Sequence, residues 1–182
     1  MKILFVLDNN TFGVNYIDVA TSVAAHCDAI WYRAKQPQLT ICEIYDRAVR
    51  LRNILPNATL ILSELAYVAV SAGFNGVHLN KQTLPIACIK ALYPTLLVGY
   101  SAHSTAECST GADYYTLSPI FETNKQHKTF PLGAIPAPAP NVYALGGVKL
   151  ENINQLAKLG YAGIAGISLH KDLIYDNMAS TP

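Results

Sequence analysis

Short apolar runs alternate with stretches of helical periodicity along most of the chain, and that rhythm leaves few folds open. Runs at residues 2–8, 29–34, 59–63, 76–79, 96–100, 114–120, 142–145 and 163–167 have the length of strands. They are short and continuously apolar, so both faces are expected to be buried, as in a parallel sheet. Helical segments fall between them at 14–27, 39–55, 65–72, 84–92, 105–110 and 151–159. In the first, Val14, Ile17, Ala20, Val23 and Ala24 form the apolar stripe. The second is the clearest, with Ile41, Ile44, Ala48, Leu51 and Ile54 on one face, charges opposite, and Pro56 to stop it.

Eight strands with helices between most of them favour an α/β fold closed into a (β/α)8 TIM barrel, read as one domain over residues 1–182. Such barrels usually take about 250 residues and rarely fewer than about 200, so this one must be compact. The trimming falls at residues 121–140, where Pro131, Pro136, Pro138 and Pro140 forbid an ordinary helix. The outer helix between strands six and seven is therefore expected to be missing or reduced to a turn. The bare barrel face left there is either a candidate homodimer surface or covered by the loop alone.

Composition narrows the partners. Thirteen basic and twelve acidic residues give a formal charge of +1 with no basic stripe, so nothing supports a nucleic-acid or anionic-membrane partner. No run of about 18 apolar residues exists to span a bilayer, and no secretion signal is evident. Cys27, Cys42, Cys88 and Cys108 are scattered without metal-binding spacing. They read as buried free thiols of a cytoplasmic protein.

Barrel sites sit at the C-terminal ends of the strands, with a phosphate commonly held after strands seven and eight. Gly146-Gly147 follows strand seven, where two glycines let the backbone approach an anion or simply permit a tight turn. Gly166-Ile167-Ser168 follows strand eight, with a short helix expected to begin near Ser168 and offer its N–H groups. Arg33 and Lys35 alternate along the end of strand two, a spacing that sends both toward the barrel mouth; otherwise they face solvent or pair with Glu64. Ser101 ends strand five and offers a hydroxyl. Lys125, His127 and Lys128 lie on the long loop after strand six, as a phosphate-seeking lid or a solvated segment. His78, inside an apolar strand, reads as a hydrogen-bonded structural histidine, and His26 and His170 as surface or capping groups.

Six collinear segments resemble the thiamine phosphate synthase and TenI family. Tyr32-Arg33-Ala34-Lys35 is similar to "LREK", Gly76-Val77-His78-Leu79 to "GVHL", and Gly99-Tyr100-Ser101-Ala102-His103-Ser104 to "G-S-HS". Asp113-Tyr114-Tyr115 with Ser118-Pro119-Ile120-Phe121-Glu122-Thr123 resembles "DYV…GPIFPT". Tyr143-Ala144-Leu145-Gly146-Gly147-Val148 with Glu151-Asn152, and the run from Gly160 to Ala165, resemble "AIGGI…EN…GA-GVA". The resemblance implies a small-molecule ligand, thiazole phosphate or thiamine phosphate. It implies phosphate and substrate contacts from Arg33, Lys35, Ser101, Thr123, Lys125, Gly146, Gly147, Ile167 and Ser168.

The family's synthases couple a pyrimidine diphosphate to thiazole phosphate and release pyrophosphate, with Mg2+ held by acidic residues. Here those positions read Ser63-Glu64 and Thr83, leaving Glu64 as the metal candidate, and a glutamine expected before the arginine motif is Trp31. The loss of acids and the "FET" at Phe121-Glu122-Thr123 resemble the TenI branch, which includes thiazole tautomerases. The histidine those enzymes carry in "GHVFET" is Pro119 here, so His103, His127 and Glu122 are the candidates for proton transfer. No cofactor is implied beyond Mg2+, and Mg2+ only if synthase activity is retained. Three functions follow: a TenI-like thiazole proton-transfer protein, a Mg2+-dependent synthase, or a regulatory binder that keeps only the phosphate site.

Overall fold

The eight apolar runs form eight parallel strands, each paired with its neighbours in chain order until β8 meets β1 and the sheet closes. The computed structural model describes residues 1–34, 38–123 and 130–178. The strands are β1 (Lys2–Asp8), β2 (Ala29–Arg33), β3 (Leu60–Ser63), β4 (Gly76–Leu79), β5 (Leu97–Ala102), β6 (Tyr114–Leu117), β7 (Val142–Leu145) and β8 (Gly163–Gly166). Around them lie α1 (Asn9–Phe12), α2 (Tyr16–Val23), α3 (Ile41–Ile54), α4 (Ala66–Ser71), α5 (Ile86–Leu92), α6 (Ile153–Lys158) and α7 (Leu169–Met178). This is the (β/α)8 barrel that the sequence rhythm requires.

Burial on both faces explains why the strands do not alternate. Outward residues such as Phe5, Leu7, Leu60, Leu62, Val77 and Leu79 pack beneath the helices. Inward ones, Leu4, Val6, Trp31, Ile61, Tyr114 and Ala165, form a separate cluster within the barrel. Helix α3 is locally determined: Thr40 and Glu43 make a reciprocal capping box, and Ile44, Ala48 and Leu51 are buried at i, i+4, i+7. Ile41 and Ile54, assigned to the same stripe from sequence, lie at the helix ends and are 41% and 42% exposed, because the barrel wall curves away from them.

Several expected boundaries move. The chain turns helical directly after β1, where Asp8 caps α1 by accepting from the Thr11 N–H at 3.2 Å. Gly13, at φ 52°, breaks this turn from α2, leaving Val14 83% exposed instead of in the apolar stripe. The segments at 105–110 and 151–152 form 3-10 turns (Thr105–Ser109 and Leu150–Asn152), the second leading into α6. Strand β5 runs on to Ala102, whereas β6 stops at Leu117, before a cis Ser118–Pro119 bond.

Between β6 and β7 no helix occurs among the described residues; residues 130–141 cross the barrel wall as an irregular, proline-rich strap. It is pinned by backbone bonds from Leu132 N–H to Pro119 O (2.8 Å) and from Ala137 N–H to Leu159 O (2.8 Å). The thiols also differ from expectation. Cys108 is buried and Cys27 half-buried, with burial pushing the Cys27 thiol up to about 12, but Cys42 and Cys88 are exposed on the outer helices. Among the described residues no helix is long and apolar enough to cross a membrane.

Candidate functional site

The C-terminal strand ends collect most of the residues singled out from sequence. At β1 and β2, Asp8 and Arg33 face each other in register, and the guanidinium is ion-paired to the carboxylate. Asp8 is buried and accepts from both the Thr11 N–H and the Thr11 hydroxyl (2.9 Å). Arg33 thus reaches the mouth, but its partner is Asp8 and not Glu64. Sequence reasoning passed over Asp8, although period two from Leu4 and Val6 places it inward at the strand end.

Below this pair the barrel interior carries a hydrogen-bonded polar layer. His78 is fully buried; its Nδ1 lies 2.9 Å from the Tyr114 hydroxyl, and its Nε2 3.0 Å from Ser101 Oγ and 3.3 Å from Thr116 Oγ1. The Trp31 ring covers His78 at 3.8 Å between centroids, and its Nε1–H donates to Ser63 Oγ at 2.8 Å. Burial and then the nearby Arg33 charge push the His78 imidazole down to about 3, so it is neutral at ordinary pH. His78 is enclosed and hydrogen-bonded, as its apolar strand led us to expect, and its link to Ser101 joins it to the mouth. Gly99 makes room for this network: a Cβ there would lie 2.1 Å from Tyr114 Cζ and 2.5 Å from His78 Nδ1.

On the β5–β7 side, the segment after β6 folds over the end of β7. Ile120 N–H donates to Leu145 O (2.9 Å), and Phe121 N–H to Gly146 O (3.0 Å). Gly146 and Gly147 have φ of 90° and 66°, the left-handed region that glycine alone adopts freely. Side chains there would collide with this segment: 2.9 Å from Pro119 Cα at Gly146, and 2.4 Å from Glu122 O at Gly147. The double glycine is therefore required by close backbone approach. The same approach brings Thr123 beside Gly146, with its methyl 3.5 Å from where a Cβ would lie. Among the described residues, neither the Gly147 nor the Val148 N–H donates to a turn, loop or cap acceptor. Beside β7, β8 is followed by a half-buried Ile167 and an exposed Ser168, and α7 begins at Leu169.

His103 follows β5 directly and is exposed. Its Nδ1 is 3.0 Å from the Ser118 carbonyl, which can only accept, so Nδ1 carries the hydrogen and the neutral ring keeps its lone pair on Nε2. Its backbone N–H donates to Glu107 at 2.6 Å. The Glu122 side chain is exposed. Lys35, Lys125, His127 and Lys128 lie outside the described residues. His26 is exposed, and His170 is half-buried against the Phe12 ring at 5.1 Å.

Glu64 sits just beyond β3 at φ 65°, left-handed although it is not glycine, and its Oε1 accepts from Asn80 Nδ2 at 2.7 Å. The Thr83 hydroxyl donates to the Asn80 carbonyl at 2.6 Å. Among the described residues no three His, Cys, Asp or Glu side chains come together to hold a metal ion. A Mg2+–diphosphate clamp of paired acids does not fit this donor set, since Thr83 supplies no charge and Glu64 is engaged by an amide.

A cleft of about 570 Å3 opens at the opposite, N-terminal end between Lys2, Asp28, Thr59, Asp113, Asn141 and Tyr143. It is not the candidate site. Asp113 is paired with Lys90, Asp28 accepts from the Ile3 N–H, and none of the glycine or helix-terminal donors faces it.

Similarity to known proteins agrees with the fold. The family model described as thiamine monophosphate synthase (TMP-TENI) matches residues 3–169. A protein of Aquifex aeolicus named "Putative thiamine-phosphate synthase 2" is 30% identical over 180 residues, covering 92% of this chain and 96% of its own. The thiamine-phosphate synthase of Methanoculleus marisnigri is 31% identical over 182 residues, covering 91% and 85%. Among solved structures, the thiamine phosphate pyrophosphorylase of Pyrococcus furiosus superposes with a TM-score of 0.77 at 23% identity, over 97% of this chain and 94% of that one, a likeness of fold. The family match across nearly the whole barrel, together with these identities, places the chain in the thiamine monophosphate synthase/TenI family.

Proposed function

We propose that this protein is a TenI-like member of the family that binds thiazole phosphate, its carboxylate or thiamine phosphate at the C-terminal mouth and moves a proton on the thiazole. One observation carries the reading. The 118–123 segment folds onto the Gly146-Gly147 backbone turn and so brings that turn, the Thr123 side chain and the tautomer-fixed His103 together. The phosphate is held by the Gly146–Val148 backbone, Thr123 and the β8–α7 turn at Ile167 and Ser168. Arg33 offers positive charge across the mouth and Ser101 a hydroxyl. His103 takes a proton from one ring position through Nε2 and returns it at another, a balanced isomerisation with no co-reactant. Glu122, whose carbonyl packs against Gly147, and His127 are the alternative carriers. Lys35 and Lys125 complete the phosphate shell in this reading.

Calorimetric titration with the three ligands, with and without Mg2+, tests it. Saturable binding that is independent of Mg2+, together with an activity on the thiazole lost in His103→Asn, is the expected result. Binding without turnover in the wild type identifies a regulatory binder, and no binding of any ligand rejects the thiamine reading.

The names of the relatives favour a second reading, a synthase joining pyrimidine diphosphate to thiazole phosphate, with Glu64 on the metal. Its mark is an absolute Mg2+ requirement and pyrophosphate release, strengthened by Thr83→Asp. Threonine at position 83, which brings no charge to a cation, supports the first reading over this one.

A further inference from the structure

Ser101 is half-buried at the C-terminal end of the His78 network, whose other members are buried, so its hydrogen-bonding polarity is what the network presents to the mouth. We propose that Tyr114 and His78 are positioning residues that fix Ser101 as a hydrogen-bond donor, so that the mouth selects a ligand presenting an acceptor atom there. The inference rests on the reading of the mouth as the ligand site.

The argument follows the hydrogens. A neutral imidazole has one N–H and one lone pair, so the network runs in one of two directions. If Tyr114 donates to Nδ1, then Nε2–H points to Ser101 Oγ at 3.0 Å, with Thr116 Oγ1 at 3.3 Å as a second acceptor. Ser101 then has its own hydrogen left for the open side. If instead Nδ1–H points to Tyr114, one lone pair on Nε2 faces two hydroxyls; the nearer, Ser101 at 3.0 Å against Thr116 at 3.3 Å, spends its hydrogen there, and Ser101 presents only lone pairs to a ligand.

The first direction strands one buried hydroxyl hydrogen of the network, that of Thr116, whereas the second strands two, those of Thr116 and of the phenol. A phenol is a stronger donor and a weaker acceptor than an aliphatic alcohol, and an imine nitrogen is the best acceptor within its reach. The first direction is therefore the stable one. Its price in the second direction would be an enclosed phenol hydrogen with no acceptor. The neighbours hold the ring in place: Trp31 stacks on its face, Trp31 is itself fixed by Ser63, and Gly99 leaves space for the 2.9 Å contact to Tyr114.

Nitrogen NMR of the protein labelled in histidine, recorded without ligand, reads the direction. His78 with a protonated Nε2 and a bare Nδ1 is expected; a protonated Nδ1 overturns the proposal. The Tyr114→Phe variant, which keeps the ring volume, is expected to lose the fixed preference and show both tautomers; an unchanged single tautomer would mean the phenol is not what sets it. Titration then tests the use of the donor. Ser101→Ala is expected to weaken thiazole phosphate about tenfold, the value of one hydrogen bond, while inorganic phosphate binds as before. Equal affinity of wild type and Ser101→Ala for thiazole phosphate overturns the ligand contact. If the wild type binds neither probe, the site reading falls and the donor role falls with it, whereas a wrong tautomer alongside normal binding refutes the relay alone.

Discussion

Replacing Gly147 by alanine measures how far the candidate site depends on one backbone contact. The residue sits at φ 66°, so a Cβ costs about 1–2 kcal/mol in a left-handed conformation. That Cβ would also lie 2.4 Å from Glu122 O, 2.8 Å from Phe121 Cβ and 2.9 Å from Phe121 C. Two of the three are backbone atoms, so no rotamer change relieves the overlap, and the 119–122 segment must lift. Overpacking of this kind adds about 1–3 kcal/mol. Gly160 is the matched control: its φ is 85°, but its nearest neighbour, the Ala137 Cβ, is 3.9 Å away, so Gly160→Ala carries the conformational cost alone. Urea denaturation of both variants is therefore expected to show Gly147→Ala less stable than Gly160→Ala by about 1–3 kcal/mol. Thiazole phosphate affinity is expected to fall in Gly147→Ala and to hold in Gly160→Ala. Equal stability losses and an unchanged affinity at Gly147 would refute the reasoning, because the docked segment would then owe nothing to the glycine.

Other consequences can be measured in the same way. His78 is neutral in the folded protein down to about pH 3, whereas a histidine in the unfolded chain takes up a proton near 6.5. Between those values the unfolded state binds more protons, so this group's contribution is intact above about pH 6.5 and is lost on acidification, at about 1.4 kcal/mol per pH unit. Denaturant titrations from pH 7 to 5 should show that slope, and His78→Gln should flatten it. Gly99→Ala drives a methyl into Tyr114 and His78 and is expected to cost about 3 kcal/mol or more, read as a lower thermal midpoint. Arg33→Ala leaves the buried Asp8 carboxylate without its ion partner; a loss of about 2–4 kcal/mol is expected in urea, discounted for the partial exposure of Arg33, and Asp8→Asn combined with it should restore part of that loss.

The barrel was legible in the sequence because its cause is local and repetitive. Apolar runs without alternation, such as 60–63 and 76–79, can only be strands buried on both faces, and the amphipathic period of α3 with its Thr40–Glu43 box needs no distant partner. The prolines at 131, 136, 138 and 140 likewise forbade a helix wherever the chain went. Boundaries were less legible, since what ends β6 at Leu117 is the turn of residues 118–121 onto β7, a contact some 25 residues away in sequence. The candidate site divides along the same line. Gly146-Gly147, Ser168, Arg33 and Ser101 announce themselves by residue type at strand ends. The pairing of Arg33 with Asp8, the enclosure of His78 by Trp31 and Tyr114, and the fixing of the His103 tautomer by the Ser118 carbonyl do not. Each joins side chains or backbone from different strands, and only strand pairing and the curvature of the barrel bring them within hydrogen-bonding distance. Sequence by itself determined the repeating unit and the residues available at its ends; tertiary structure decided which of them meet, and therefore which charges are neutralised and which hydrogens remain to be offered.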